Sequence, residues 1–64
     1  MDKIREQILN YRKRTGCSQE VLAKRVGVNP KTISEIERQE KLFMRLATIA
    51  KFERFFDLEE SDEL

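Results

Sequence analysis

Residues 18–39 read SQEVLAKRVGVNPKTISEIERQ, two helix signatures placed back to back. Ser18 is a good N-cap, its hydroxyl able to accept an orphan backbone N–H, and Gly27 supplies the backbone freedom that ends a helix. Beyond it, Asn29 can cap a second helix whose first position is Pro30, where the missing N–H costs nothing and φ is already set. Val21 or Leu22 with Val26 gives the first helix a buried side, and Ile33 and Ile36 do the same for the second. Ala23 is small enough to let the two approach closely.

Two short helices joined by a tight turn containing glycine form a helix-turn-helix. Its first helix braces the second, so that the N-terminal part of the second can enter a major groove. Lys31, Thr32, Ser34 and Glu35 are left outward and uncommitted by the core. Upstream, Ile4, Ile8, Tyr11 and Thr15 recur at helical spacing, which predicts a helix over about 2–15 that stops before Gly16. Downstream, Leu46, Ile49, Phe52 and Phe56 give a fourth amphipathic stretch, and no alternating strand pattern appears anywhere. The expected fold is all-α, a compact bundle of four to five short helices. Residues 1–64 are read as a single domain with its helix-turn-helix at about 18–38.

Composition narrows the function classes. A chain of 64 residues buries only about 60% of its unfolded surface and is marginally stable alone. With no histidine and one cysteine, neither a zinc site nor histidine-based catalysis can be built, so no enzyme, metal, cofactor or small-molecule site is expected. Cys17 reads as a small buried hydrophobe. The absence of a leader and of a long apolar run points to a soluble cytoplasmic chain with no membrane role. Residues 1–45 carry eleven Lys/Arg against six acids, a net of +5, while residues 46–64 carry two against six, a net of −4. A basic body suits a polyanionic partner, although solvated helix faces would look the same.

The stretch from Ser18 to Arg38, preceded by Tyr11-Arg12 and Gly16, resembles the helix-turn-helix of the phage repressor and Cro-type (Xre-like) family of bacterial and phage transcriptional regulators. Gln19 opens the second helix, Ala23 takes the small-residue position, Gly27 the turn, and Ile33 and Ile36 the buried positions of the recognition helix. LATIAKFERFFDL resembles the family's fourth helix more loosely. The resemblance implies sequence-specific binding of double-stranded DNA, commonly as a homodimer. It also implies base readout by Pro30, Lys31 and Glu35 with Thr32 and Ser34 alongside, and an ion pair of Arg12 with Glu37 that sets the angle of the recognition helix. Chemically, Lys31 can donate to guanine, Glu35 can accept from cytosine N4, and the Thr32 methyl can meet thymine. Lys31 on a phosphate, or Glu35 only shaping Lys31 or Arg38, is the plainer alternative. Ser18, Gln19 and Asn29 lie at helix N-termini suited to phosphate, and Arg38, Lys41 and Arg45 extend that track.

The chain departs from the family in having Gln39 where a glycine usually closes the recognition helix, and EKLFM where Asn-Pro often precedes helix 4. A turn near Gln39–Phe43 is expected, with one long fused helix as the alternative. Four phenylalanines all fall after Ile36. Leu46, Ile49, Phe52 and Phe56 suffice for the core, which would leave Phe43, Met44, Phe55, Leu58 and Leu64 as one contiguous apolar patch for a homodimer on a palindromic operator, unless Leu58 and Leu64 fold back as a short fifth helix that caps the same residues within one chain. A protein-binding module, such as an antitoxin or adaptor using the same helices, is the competing class.

Overall fold

The computed structural model describes residues 2–40 and 43–61. These form four helices and no strand: α1 (Asp2–Thr15), α2 (Gln19–Val26), α3 (Pro30–Glu37) and α4 (Leu46–Ser61). α1 ends at Gly16, whose φ is 73° and whose N–H reaches the Arg12 carbonyl at 2.7 Å. α2 starts from Ser18, whose Oγ accepts from the Val21 N–H, and ends at Gly27 with φ 91°. There the Val28 N–H returns to the Ala23 carbonyl at 3.0 Å, the six-to-one bond of a Schellman closure, and the Val28 side chain packs on the core.

α3 closes the same way without a glycine. Gln39 adopts φ 60°, its N–H bonds the Ile36 carbonyl at 3.1 Å, and the Glu40 N–H bonds the Glu35 carbonyl at 2.9 Å. Both bonds of the Schellman motif are made, so the left-handed residue that the motif requires is here a glutamine. α3 therefore ends at Glu37 and α4 begins at Leu46, a connection rather than a fused helix.

The core draws on every helix: Ile4, Ile8 and Tyr11; Leu22, Ala23 and Val26; Ile33 and Ile36; Phe52 and Phe56. α2 packs on both α3 and α4, and α1 on both as well. Ala23 is fully buried, its methyl leaving room for close approach. The Tyr11 ring meets Phe55 and Phe56 edge-on at 5.3 and 6.1 Å between centroids, and Phe52 stacks on Phe56 at 6.4 Å. Lys51 Nζ donates to the Gly27 carbonyl at 3.1 Å, placing a cation at the carbonyl end of α2, where the helix dipole favours it.

Three expectations about packing change. Leu46 is 83% exposed and outside the core. Six residues separate it from Phe52, which puts it about 120° away around the helix, and it stands at the first residue of α4. Thr15 is exposed, because its hydroxyl turns back to donate to the Tyr11 carbonyl at 2.8 Å at the end of α1. Val21 is exposed and Leu22 carries the buried side of α2, while Cys17 is only half-buried against the core.

A left-handed backbone costs an L-residue about 1–2 kcal/mol, and glycine gives back part of that relief through its larger unfolded entropy. Gln39→Gly is expected to stabilise the fold by roughly 0.5–1 kcal/mol. That corresponds to a rise of a few degrees in melting temperature, at about 4–8 °C per kcal/mol for a domain of this size. The β-branched Gln39→Val should melt lower than the parent. Thermal denaturation followed by circular dichroism checks both signs.

Candidate nucleic-acid interface

α3 is held at both ends. At its start the Asn29 Oδ1 accepts from the Lys31 N–H at 2.9 Å, Pro30 occupies the first helical turn, and the Thr32 N–H bonds the Asn29 carbonyl at 2.9 Å. Ile33, fully buried, and Ile36 fix the rotation of the helix about its axis. That rotation leaves Pro30, Lys31 and Arg38 exposed, with Thr32, Ser34 and Glu35 half-buried along the flank.

At the other end, Glu37 is gripped by α1. Arg12 Nη1 lies 2.7 Å from both Oε1 and Oε2 of Glu37, while Arg12 Nε donates to the Cys17 carbonyl at 3.1 Å. Gln19 Nε2, from the first turn of α2, donates to the same Glu37 Oε1 at 2.9 Å. Arg5 Nε reaches the Glu37 backbone carbonyl at 3.1 Å, so the last residue of α3 is bound through side chain and main chain together. The pair is partly buried, with side-chain exposures of 30% for Arg12 and 12% for Glu37.

Sequence reasoning placed Arg12 opposite Glu37 but missed Arg5 and the role of Gln19 in this cluster. The signal was present for Arg5: it lies seven residues before Arg12, two helical turns away on the same face of α1. For Gln19 the structure changes the expected use. One amide N–H, expected to point at phosphate, is committed to Glu37, so what Gln19 retains for a ligand is the rest of its amide and its place at the start of α2. The acceptor atoms of Ser18 and Asn29 are likewise spent on capping.

The remaining expected residues fall into separate places. Arg38 is exposed and pairs with Glu40 at 3.3 Å, an exposed contact worth under about 1 kcal/mol that leaves its guanidinium accessible. Arg45 is exposed on the segment before α4; Lys41 lies outside the described residues. The apolar patch expected to be contiguous is divided. Phe43, 81% exposed, lies before α4, and Leu58, 60% exposed, lies near its far end. The twelve residues from Leu46 to Leu58 alone span about 18 Å. Met44 is half-buried and packs on the core, and the Phe55 ring is half-buried against Tyr11 and Phe56. Leu64 lies outside the described residues.

Near Phe55, a cationic surface gathers on Tyr11. Arg25 Nη1 donates to the Tyr11 hydroxyl at 2.6 Å, and the Arg14 guanidinium sits 5.6 Å from the ring centroid. The hydrogen bond to Tyr11 raises the Arg25 pKa above its already basic value, with a smaller contribution from Glu59. Among the described residues no cluster of carboxylates and cysteine is placed to hold a metal ion, and no helix is long and apolar enough to cross a membrane.

A helix-turn-helix family model matches residues 8–62, most of the chain. The chain belongs to the Cro/C1-type helix-turn-helix family. No curated protein and no solved structure matches it. As a member of this family it is a DNA-binding transcriptional regulator, and its double-stranded DNA partner follows from the family. The position after α3 where the resemblance leads one to expect glycine is Gln39, and it adopts the left-handed conformation itself.

Residues in one hydrogen-bonded network couple by about 0.5–3 kcal/mol in double-mutant cycles. Arg12 and Glu37 share two contacts in a partly buried site, so Arg12→Ala and Glu37→Ala are expected to couple by more than about 1 kcal/mol in urea denaturation. Strict additivity of the two single changes would show that the crossed pair contributes nothing.

Proposed function

We propose that this regulator reads the major groove with α3, through Lys31 and Glu35 and the flanking Pro30, Thr32 and Ser34, and does so as a homodimer on a palindromic site. The observation that carries the reading is the orientation of α3. Its buried isoleucines and the gripped Glu37 turn the N-terminal end of α3 outward, with Pro30 and Lys31 exposed. Lys31 supplies donors for guanine O6 and N7, Glu35 an acceptor for cytosine N4, and Thr32 a methyl for thymine. Ser18, Gln19 and Asn29 stand at the N-termini of α2 and α3, and with Arg38 and Arg45 they serve the phosphates alongside.

Dimerisation is supported by the far end of α4. Leu58 is exposed one turn along α4 from half-buried Phe55, whose ring packs on Tyr11, the residue that anchors Arg25, and Glu59 follows Leu58 in sequence. A patch with an apolar centre and both signs of charge at its rim is self-complementary under a two-fold axis. Two copies also supply the phosphate contacts that a net charge of +1 alone supplies poorly.

Selection of bound sites from random duplex DNA tests the reading as a whole. Palindromic sites with half-sites one helical turn apart, about 34 Å, are expected. Absence of any enriched sequence, with capture of a protein partner, would favour the antitoxin or adaptor class. On a selected duplex, Lys31→Ala should cost about 1–3 kcal/mol and relax preference at one base pair. A loss spread evenly over all sequences would make Lys31 a phosphate contact. Sedimentation equilibrium at micromolar concentration should give a dimer that Leu58→Ser converts to monomer; a monomeric parent with full operator affinity would remove the dimer.

A further inference from the structure

Two large apolar side chains remain largely solvent-exposed between the end of α3 and the first residue of α4, Phe43 at 81% and Leu46 at 83%. The core needs neither, since α4 contributes Phe52 and Phe56. Phe43 forms one wall of an open cleft of about 390 Å³, with Thr32, Met44, Arg45 and Thr48 completing it. Thr32 belongs to the outward flank of α3, so the cleft is continuous with the face that α3 presents to a groove. Among the described residues its lining holds an aromatic ring, a thioether, a guanidinium and two hydroxyls, and no carboxylate.

That set matches the chemistry of one strand of a DNA backbone. A guanidinium and a hydroxyl suit a phosphate, and an aromatic face suits the C–H surface of a deoxyribose. The cleft touches α3 only through Thr32.

We infer that Phe43 packs against a deoxyribose of the strand bordering the groove read by α3, with Arg45 and Thr48 on the adjoining phosphate. The inference rests on the DNA reading proposed above and extends it to residues outside the helix-turn-helix. It also explains why so large a ring is left in water by a chain that has few apolar residues to spare: the ring is covered when DNA is bound. Phe43 thereby acts on register and affinity, and not on base choice.

Hydroxyl-radical cleavage of a duplex selected by the parent protein reads the exposure of each sugar directly. Phe43→Ala should lose protection over a short run of nucleotides while keeping the rest of the footprint, and should bind about tenfold more weakly, the effect of burying much of one phenylalanine. Its dependence on salt should be unchanged, whereas Arg45→Ala should flatten the salt slope by about one. Melting temperature should not move in Phe43→Ala, because the ring is outside the core. A Phe43→Ala footprint and affinity identical to those of the parent overturn the inference. So does an unchanged footprint accompanied by a change in sedimentation, which would assign the ring to a protein partner. If the parent itself protects no duplex, the DNA reading fails first, and the two failures are thus told apart.

Discussion

The carboxylate of Glu37 is the point on which the arrangement of the helix-turn-helix depends. It accepts from Arg12 through both oxygens and from Gln19 through one, while Arg5 holds the carbonyl of the same residue. α1, the start of α2 and the end of α3 are therefore joined at a single residue. Ile33 and Ile36 fix how α3 is rotated, but apolar contacts are non-directional and leave its tilt poorly specified. Arg12 Nη1 meets both carboxylate oxygens while Nε of the same guanidinium is fixed on the Cys17 carbonyl, and these charge-assisted, directional hydrogen bonds supply the missing restraint. Such a pair adds little net stability for its desolvation cost, so its use here is to specify one orientation.

A small domain gains from making each device serve twice. Tyr11 closes the core with its ring and anchors Arg25 with its hydroxyl. Lys51 fastens α4 to the carbonyl end of α2 with a charge that the dipole there favours. Gln39 turns the chain out of α3 through a left-handed residue even though it carries a side chain, and the two Schellman bonds offset part of that strain. The outward run of α3 lies between the Asn29 cap and this turn, with a rigid attachment at each end. Side chains that bind a ligand are held to within about 0.5 Å only on a helix supported in that way.

What the sequence disclosed and what it hid follow from the range of the interactions involved. Caps and stops are local chemistry, so Ser18, Gly27, Asn29 and Pro30 placed α2 and α3 where the structure has them. The bounds of α1 followed from apolar spacing and Gly16. The end of α3 was harder to read, because the closing residue is Gln39 and the usual glycine signal is absent; the backbone bonds that stabilise it leave no mark on residue type. Leu46 shows the limit of periodicity. Its spacing from Ile49 fits a helical stripe, but it lies about 120° from Phe52 and at the first residue of α4, beyond the packing neighbours, and no local pattern records where a neighbouring helix stops. For the same reason the phenylalanines and leucines of the C-terminal third read as one apolar surface, whereas the length of α4 separates Phe43 from Leu58 and the Tyr11 ring draws Phe55 inward. Of the residues around Glu37, Arg12 was legible through family resemblance, Arg5 only through heptad spacing, and Gln19 not at all, since a glutamine amide suits a phosphate and a carboxylate equally well.

The most direct measurement of the orienting role of Glu37 is the affinity of Glu37→Gln for a duplex selected by the parent protein, with helix content followed by circular dichroism at the same temperature. The substitution keeps the shape of the side chain and removes one negative charge from a protein that binds a polyanion. Charge alone would therefore strengthen DNA binding and steepen its salt dependence. If the carboxylate sets the angle of α3, affinity should instead fall by about tenfold or more while the variant stays helical, and discrimination between selected and random duplexes should narrow. A folded Glu37→Gln that binds as tightly as the parent, or more tightly, with its preference intact would contradict the claim that this interaction orients the recognition helix.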